Sequence, residues 1–114
     1  MVIDAATGGV RRWLSRGLGL GLTAGDLFAS ELEELRIPYA PGDVFLFVTD
    51  GITEGLGPNR EEYGETRLVD LFTRLAANRT PVAGIVAAIE AAVAEHAQGT
   101  PQHDDQTLVV VRAT

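Results

Sequence analysis

Five consecutive apolar residues, Val44-Phe45-Leu46-Phe47-Val48, constrain the fold of this chain more than any other feature. A short run of β-branched and aromatic residues without polar alternation reads as a strand buried on both faces. Such a strand wants apolar cover on both sides, more than so short a chain easily supplies, so a partner or an absent N-terminal segment is expected to provide the rest. A second run, Thr107 to Val111, is almost wholly apolar and closes the chain as another strand. Pro41-Gly42-Asp43 supplies a turn before the first run, and Thr49-Asp50-Gly51 ends it.

The remaining elements follow from periodicity. Leu68, Leu71, Phe72 and Leu75 recur at spacings of three and four, which makes one apolar helical stripe. Val82, Ile85, Val86, Ile89 and Val93 make a second. Thr80-Pro81 precedes the second stripe as a capping residue and a first-turn proline, and Gly99 is placed to stop it. That helix is Ala-rich and compositionally plain. Val2 to Leu14, broken by Gly8-Gly9, predicts a hairpin. Leu35, Ile37 and Tyr39 alternate with polar or small residues, as in a half-buried strand, and Pro38 favours a sheet edge. The alternating glycines of Gly17 to Leu22 suit close backbone approach or a sharp turn. They do not make a phosphate loop, because no Lys-Ser or Lys-Thr follows the last glycine.

Composition narrows the class. The chain has 114 residues, 46% of them hydrophobic, which suits one globular domain over 1–114. Nine Lys plus Arg against sixteen Asp plus Glu give a net charge of -7, which disfavours nucleic-acid backbones. There is no cysteine, so disulfides and thiolate metal sites are excluded. No apolar run approaches the roughly 20 residues of a membrane span, and the N-terminus lacks the basic-then-apolar order of a signal peptide. A cytoplasmic protein is the expectation.

The chemistry-bearing residues sit at the ends of the two apolar strands. Asp50 follows the first directly, and Asp104 and Asp105 come just before the second. If the two strands are antiparallel neighbours, the end of one lies beside the start of the other, and three carboxylates converge at one sheet edge. Two unit charges about 4 Å apart repel by roughly 1 kcal/mol in water and about 4 kcal/mol at an effective dielectric near 20. Protons or cations relieve that repulsion. Mg²⁺ and Mn²⁺ choose oxygen ligands, and a water bound to such an ion is acidified and able to attack phosphorus. Gly51 leaves room for the backbone to bend around the site. Asp-Gly is also a common turn, and Asp104 also suits a turn-capping role. The residues alone leave both readings open.

The order and wording of the motifs carry more. Pro41-Gly42-Asp43, a hydrophobic strand, then Thr49-Asp50-Gly51-Ile52-Thr53-Glu54 resembles the "PGD…TDGxxE" stretch of bacterial phosphatases of the sporulation stage II E type. These lie within the metal-dependent, protein phosphatase 2C-like (PPM) superfamily. Tyr63-Gly64 followed by Arg67-Leu68 is similar to that family's "FGxxRL" helix start. His103-Asp104-Asp105-Gln106-Thr107 with Leu108 to Arg112 resembles its closing "DDxTxxxxR", and Gly19-Leu20-Gly21-Leu22 its "PLGL" turn with glycine for proline. The resemblance covers nearly the whole chain but about the second half of the family's domain.

The resemblance implies an α+β fold: an antiparallel β-sheet with two helices packed on one face, half of an α-β-β-α phosphatase sandwich. It implies hydrolysis of phosphoserine or phosphothreonine by a metal-activated water at a dinuclear Mn²⁺/Mg²⁺ centre, without a covalent phosphoenzyme. Asp50, Gly51, Asp104 and Asp105 are the metal-site residues it implies, with Asp50 and Asp104 as ligands and Asp105 behind them. Glu54 is a solvated carboxylate or a residue that orients the loop. The implied partner is a phosphorylated protein such as an anti-sigma-factor antagonist.

One departure stands out. The family's bridging Asp belongs to an "Asp-x-x-Gly-His-Gly"-like motif. Here the only Asp-Gly pair is Asp50-Gly51, and neither His96 nor His103 is followed by glycine. No convincing arginine for a substrate phosphate is present either; Arg11 and Arg12 are the nearest by position. The expectation is therefore weak Mn²⁺ binding and poor turnover by this chain alone. A degenerate phosphatase-like module for binding or regulation is the alternative. The haloacid dehalogenase signature fails because its second Asp would fall on Val48, and a calcium loop fails on spacing. An apolar sheet face left uncovered should attract a second copy or a missing N-terminal half.

Overall fold

A computed structural model describes residues 2–5, 11–13 and 38–114. The elements in chain order are β1 (Val2–Ala5), β2 (Arg11–Trp13), β3 (Val44–Val48), α1 (Asp50–Thr53), α2 (Glu65–Ala77), α3 (Val82–Ala97) and β4 (Leu108–Arg112). The four strands form one sheet in the order β2-β1-β3-β4, and every neighbouring pair is antiparallel. The hairpin expected over Val2 to Leu14 is the β1–β2 pair, with Val2 opposite Trp13. Within the expected Leu35 to Tyr39 strand, Leu35, Arg36 and Ile37 lie outside the described residues, and Pro38–Ala40 are not in a strand. The glycine stretch Gly17 to Leu22 also lies outside the described residues.

β3 is central, and its position follows from its composition. Val44, Leu46 and Val48 point to one face with Ile3 of β1, and there they meet Leu68 and Phe72 of α2 and Ile85, Ile89 and Val93 of α3. Both long helices thus lie on one face of the sheet, as expected for this α+β class. The helical stripes hold with two adjustments. Leu71 and Leu75 are only partly buried against the core, and in the second stripe Val86 is partly buried and Val82 exposed. Val82 begins α3 one position later than Thr80-Pro81 suggested. Pro81 occupies the cap position without a side-chain capping bond, and Thr80 instead offers its carbonyl to Arg112 Nη2 at 2.7 Å. At the other end Gln98 turns left-handed with φ 46°, followed by Gly99 at φ 85°.

The opposite face is only partly covered, in keeping with the expectation that so short a chain leaves one sheet face for a partner. Phe45 is buried with Tyr39 edge-on to its ring, but Phe47 is 41% exposed. Val109 and Val111 of β4, which pair with Phe47 and Phe45, are exposed as well. An apolar strip therefore lies open along β3 and β4 among the described residues. Asp4 pairs with Phe45 in the ladder and shares that face, yet it is fully buried. The Arg11 guanidinium donates to Asp4 Oδ2, and no described group reaches Asp4 Oδ1. Of the two arginines nearest by position for a substrate phosphate, Arg11 thus already pairs with a buried carboxylate, and the side chain of Arg12 lies outside the described residues.

Pro41-Gly42-Asp43 is a structural latch. Gly42 adopts φ 95°, a conformation glycine reaches without a Cβ clash. Its N–H donates to Ala113 O at 2.8 Å, the Asp43 carbonyl accepts from Ala113 N at 2.9 Å, and Asp43 Oδ2 accepts from Ala40 N at 2.9 Å. The turn thereby fixes the start of β3 against the end of β4 and sets the register that governs the opposite end of both strands.

Candidate functional site at the β3–β4 end

The register Val48 opposite Leu108 places the exit of β3 beside the approach to β4. The chain leaves β3 not as an open turn but as α1, with Asp50 as its first residue. Thr49 stands at the cap position, yet its hydroxyl does not cap the helix. It donates to the Asp105 carbonyl at 3.2 Å and accepts from Thr107 N at 3.0 Å, while Thr49 N donates to Thr107 O at 3.1 Å. One threonine therefore ties the two segments together.

Gly51 lies directly against the Asp105 backbone. A Cβ built on it would lie 2.0 Å from the Asp105 carbonyl oxygen and 2.8 Å from its carbon. The Gly51 carbonyl accepts from Gln106 Nε2 at 3.2 Å. Gly51 is buried, whereas Asp50, Asp104 and Asp105 are all exposed. Asp104 Oδ1 accepts from Asp105 N at 2.8 Å, which is the turn-capping role that the sequence left open. The backbones of the two acidic segments thus meet at one sheet edge, and their side chains reach solvent there.

The donor set suits a hard divalent cation in kind. It consists of carboxylates and of a carbonyl, that of Gly51, which accepts one bond and has a second lone pair. In number it falls short. Among the described residues no three His, Cys, Asp or Glu side chains are grouped so as to hold a metal ion. Glu54 is exposed at the end of α1, where its N–H donates to the Asp50 carbonyl at 2.8 Å.

Sequence reasoning missed one cluster. Arg67 Nη1 lies 2.7 Å from His96 Nδ1, and His96 Nε2 lies 2.8 Å from the Glu61 carbonyl. Arginine only donates and a carbonyl only accepts, so His96 carries its proton on Nε2. The ring also stacks edge-on to Tyr63, 5.7 Å between centroids. Burial raises the Tyr63 phenol above its ordinary value of 10.0, and Arg67 and Arg74 partly offset this. Tyr63-Gly64…Arg67-Leu68 is therefore a packing unit: Tyr63 and Leu68 are buried, Gly64 starts α2 at φ 91°, and Arg67 reaches α3.

Behind α1, a cleft of about 570 Å³ opens between the 54–62 segment, the second half of α3 and the 100–106 segment. No helix among the described residues is long and apolar enough to cross a membrane.

Comparisons with known proteins agree with this architecture. The family model for Stage II sporulation protein E (SpoIIE) matches residues 1–114. Protein IcfG of Synechocystis sp. is 30% identical over 100 residues, covering 88% of this chain and 15% of that protein. The SiaA-PP2C domain of Pseudomonas aeruginosa matches in structure with a TM-score of 0.75 at 23% identity, over 99% of this chain and 43% of that one. The chain therefore spans a small part of the curated relative and less than half of the solved domain. The likeness to the latter is one of fold.

Proposed function

Because this chain belongs to the stage II sporulation protein E family and has the fold of a protein phosphatase 2C-type fragment, we propose that it is the C-terminal part of a Mn²⁺- or Mg²⁺-dependent phosphoserine/phosphothreonine protein phosphatase domain. The observation that carries this reading is the seating of Gly51 on the Asp105 carbonyl. It brings the backbones of Asp50 and of the Asp104–Asp105 pair to one edge, where of the three carboxylates only that of Asp104 takes a turn-capping bond. Asp50 and Asp104 would hold the ion with the Gly51 carbonyl, and Asp105 would support them. The chemistry such an ion supplies is acidification of water and neutralisation of phosphoryl charge.

The chain's own residues prepare that edge. Thr49 fixes the separation of the two acidic segments, Gln106 orients the Gly51 carbonyl, and the Pro41-Gly42-Asp43 latch sets the register from the far end. The substrate in this reading is a phosphorylated protein of partner-switching signalling, such as an anti-sigma-factor antagonist, met in the cytoplasm. The open strip of Phe47, Val109 and Val111 would be covered by the other half of the domain or by a second copy.

One observation favours a second reading. With no group of three metal-ligating side chains among the described residues, the chain also suits a degenerate module that binds without hydrolysing. Asp50→Asn separates the two. In the polypeptide expressed from its own reading frame, Mn²⁺-dependent hydrolysis of a phosphoserine peptide should fall at least 100-fold if Asp50 holds the ion, an effect of roughly 3 kcal/mol. Unaltered hydrolysis would exclude Asp50 from the site, and no hydrolysis by either form would favour the module.

A further inference from the structure

The cleft behind α1 borders the proposed metal edge at Gly51, Asp104 and Gln106, but the rest of its lining has no part in the phosphatase reading. Its floor is apolar, formed in part by Val93 and Leu108. On α3 the lining residues Glu90, Val93, Ala94 and Ala97 fall at helical spacing on one face, and the two alanines leave the space that larger residues would fill. Its rim carries Glu54, Glu62, Glu90 and Asp104, all exposed. Among the described residues no Lys or Arg lines it, and His103 is the basic side chain there. None of the four carboxylates has an ion-pair partner among the described residues.

Those carboxylates are not grouped to hold a metal ion. They are spread around an apolar floor. That arrangement complements a long cationic side chain, whose methylene stem covers apolar surface while its head reaches surrounding carboxylates. A small cation would leave the floor wet, and an apolar segment would leave four carboxylates facing it. The cleft also borders Gly51 and Asp104, so an occupant lies next to the proposed reaction edge.

We propose that this cleft docks a Lys or Arg side chain of the protein substrate, on a residue flanking the phosphorylated serine or threonine. The identity of the occupant as substrate rests on the phosphatase reading; the preference of the cleft for a basic peptide does not.

The test therefore begins with binding. Fluorescence anisotropy compares unphosphorylated peptides with Lys/Arg flanks and with alanine flanks, on the polypeptide as expressed. The basic peptide should bind at least five-fold more tightly. Glu62→Gln and Glu90→Gln should each remove about three- to five-fold of that, the upper range of a solvent-facing ion pair. Ala97→Leu, which fills the floor without changing charge, should remove the preference as well. Circular dichroism verifies that each variant remains folded.

Equal binding of the two peptides, or a basic preference untouched by both Gln variants, overturns the proposal. Phosphoserine versions of the same peptides then separate the two readings. A loss of the basic preference in kcat/KM with Glu90→Gln, while the alanine-flanked peptide is turned over as before, supports docking of substrate. Hydrolysis that ignores the flanks sinks the docking proposal and leaves the phosphatase reading standing. A binding preference without any hydrolysis keeps the cleft and sinks the phosphatase.

Discussion

Replacing Gly51 by alanine is the sharpest perturbation of the acidic edge, because it adds one methyl group where two backbones touch. The new Cβ would lie 2.0 Å from the Asp105 carbonyl oxygen. Neither atom belongs to a flexible side chain, so the two segments must separate. Separation strains three hydrogen bonds: Thr49 Oγ1 to Asp105 O, Thr107 N to Thr49 Oγ1, and Gln106 Nε2 to Gly51 O. At about 1 kcal/mol each, their loss amounts to roughly 3 kcal/mol. Alanine returns at most about 1 kcal/mol through its helix preference in α1. The net expectation is a destabilisation of about 1–3 kcal/mol, the range of ordinary overpacking.

Urea unfolding measures this directly. With a slope of roughly 1–3 kcal/mol per molar, the midpoint should fall by about 1 M. Hydrogen exchange provides a local readout, since the Thr107 amide should lose protection while amides within α3 keep theirs. Gly42→Ala is the contrasting control. Nothing lies within 4 Å of its Cβ, so its cost comes from φ 95° alone and leaves the acidic edge intact. If Gly51→Ala matches the parent in midpoint and in Thr107 protection, the contact does not exist as described, and the backbone approach of the Asp50 and Asp104–Asp105 segments loses its support.

Other expectations follow from the packing. Tyr63→Phe should flatten the alkaline limb of the stability profile. The folded phenol has a raised pKa, so its contribution is complete below the unfolded value near 10.0 and is lost as pH rises through the folded value; urea midpoints between pH 8 and 11 would reveal this. His96→Ala should cost about 1–3 kcal/mol, because it breaks contacts to Arg67 and Glu61 and leaves Tyr63 without its ring neighbour. Phe72→Ala should cost about 3–5 kcal/mol in thermal or urea unfolding, since the ring is fully buried between sheet and helices. Phe47→Ser should cost about 1–3 kcal/mol, because more than half of its ring is buried, and if a second copy or the other domain half covers this strip, light scattering should show weaker association.

What the sequence revealed was periodic or local. Val44 to Val48 and the leucine stripe of α2 announce themselves, because a strand or helix must place its apolar residues at the repeat that faces the core. Pro41-Gly42-Asp43 was legible as a turn, although its role as a latch on Ala113 required the register of β4. Three features were not legible, each for its own reason. Phe47 reads like Phe45, but a buried strand and a half-exposed one have the same composition when a partner is meant to supply the cover. The hydroxyl of Thr49 serves a segment more than fifty positions away, and no local rule announces such a bond. His96 is one histidine at a helix end until Arg67 and Glu61 are brought to either side of its ring.

The Ala-rich half of α3 shows the same limit in reverse. Ala94 and Ala97 read as filler, since alanine serves any helix. In the fold their smallness opens a cleft beside four carboxylates drawn from three separate segments. The acidic balance of the chain predicted an indifference to phosphate backbones, but it was silent on where the charge would gather. Topology decides that. Once β3 and β4 are antiparallel neighbours, α1 and the 100–106 segment must share one end of the sheet, and α3 must run down behind them. Carboxylates of that end fall in two places, Asp50 outside the cleft and Glu54, Glu62, Glu90 and Asp104 on its lining. A protein substrate that presents a phosphate to the first and a basic side chain to the second would match both.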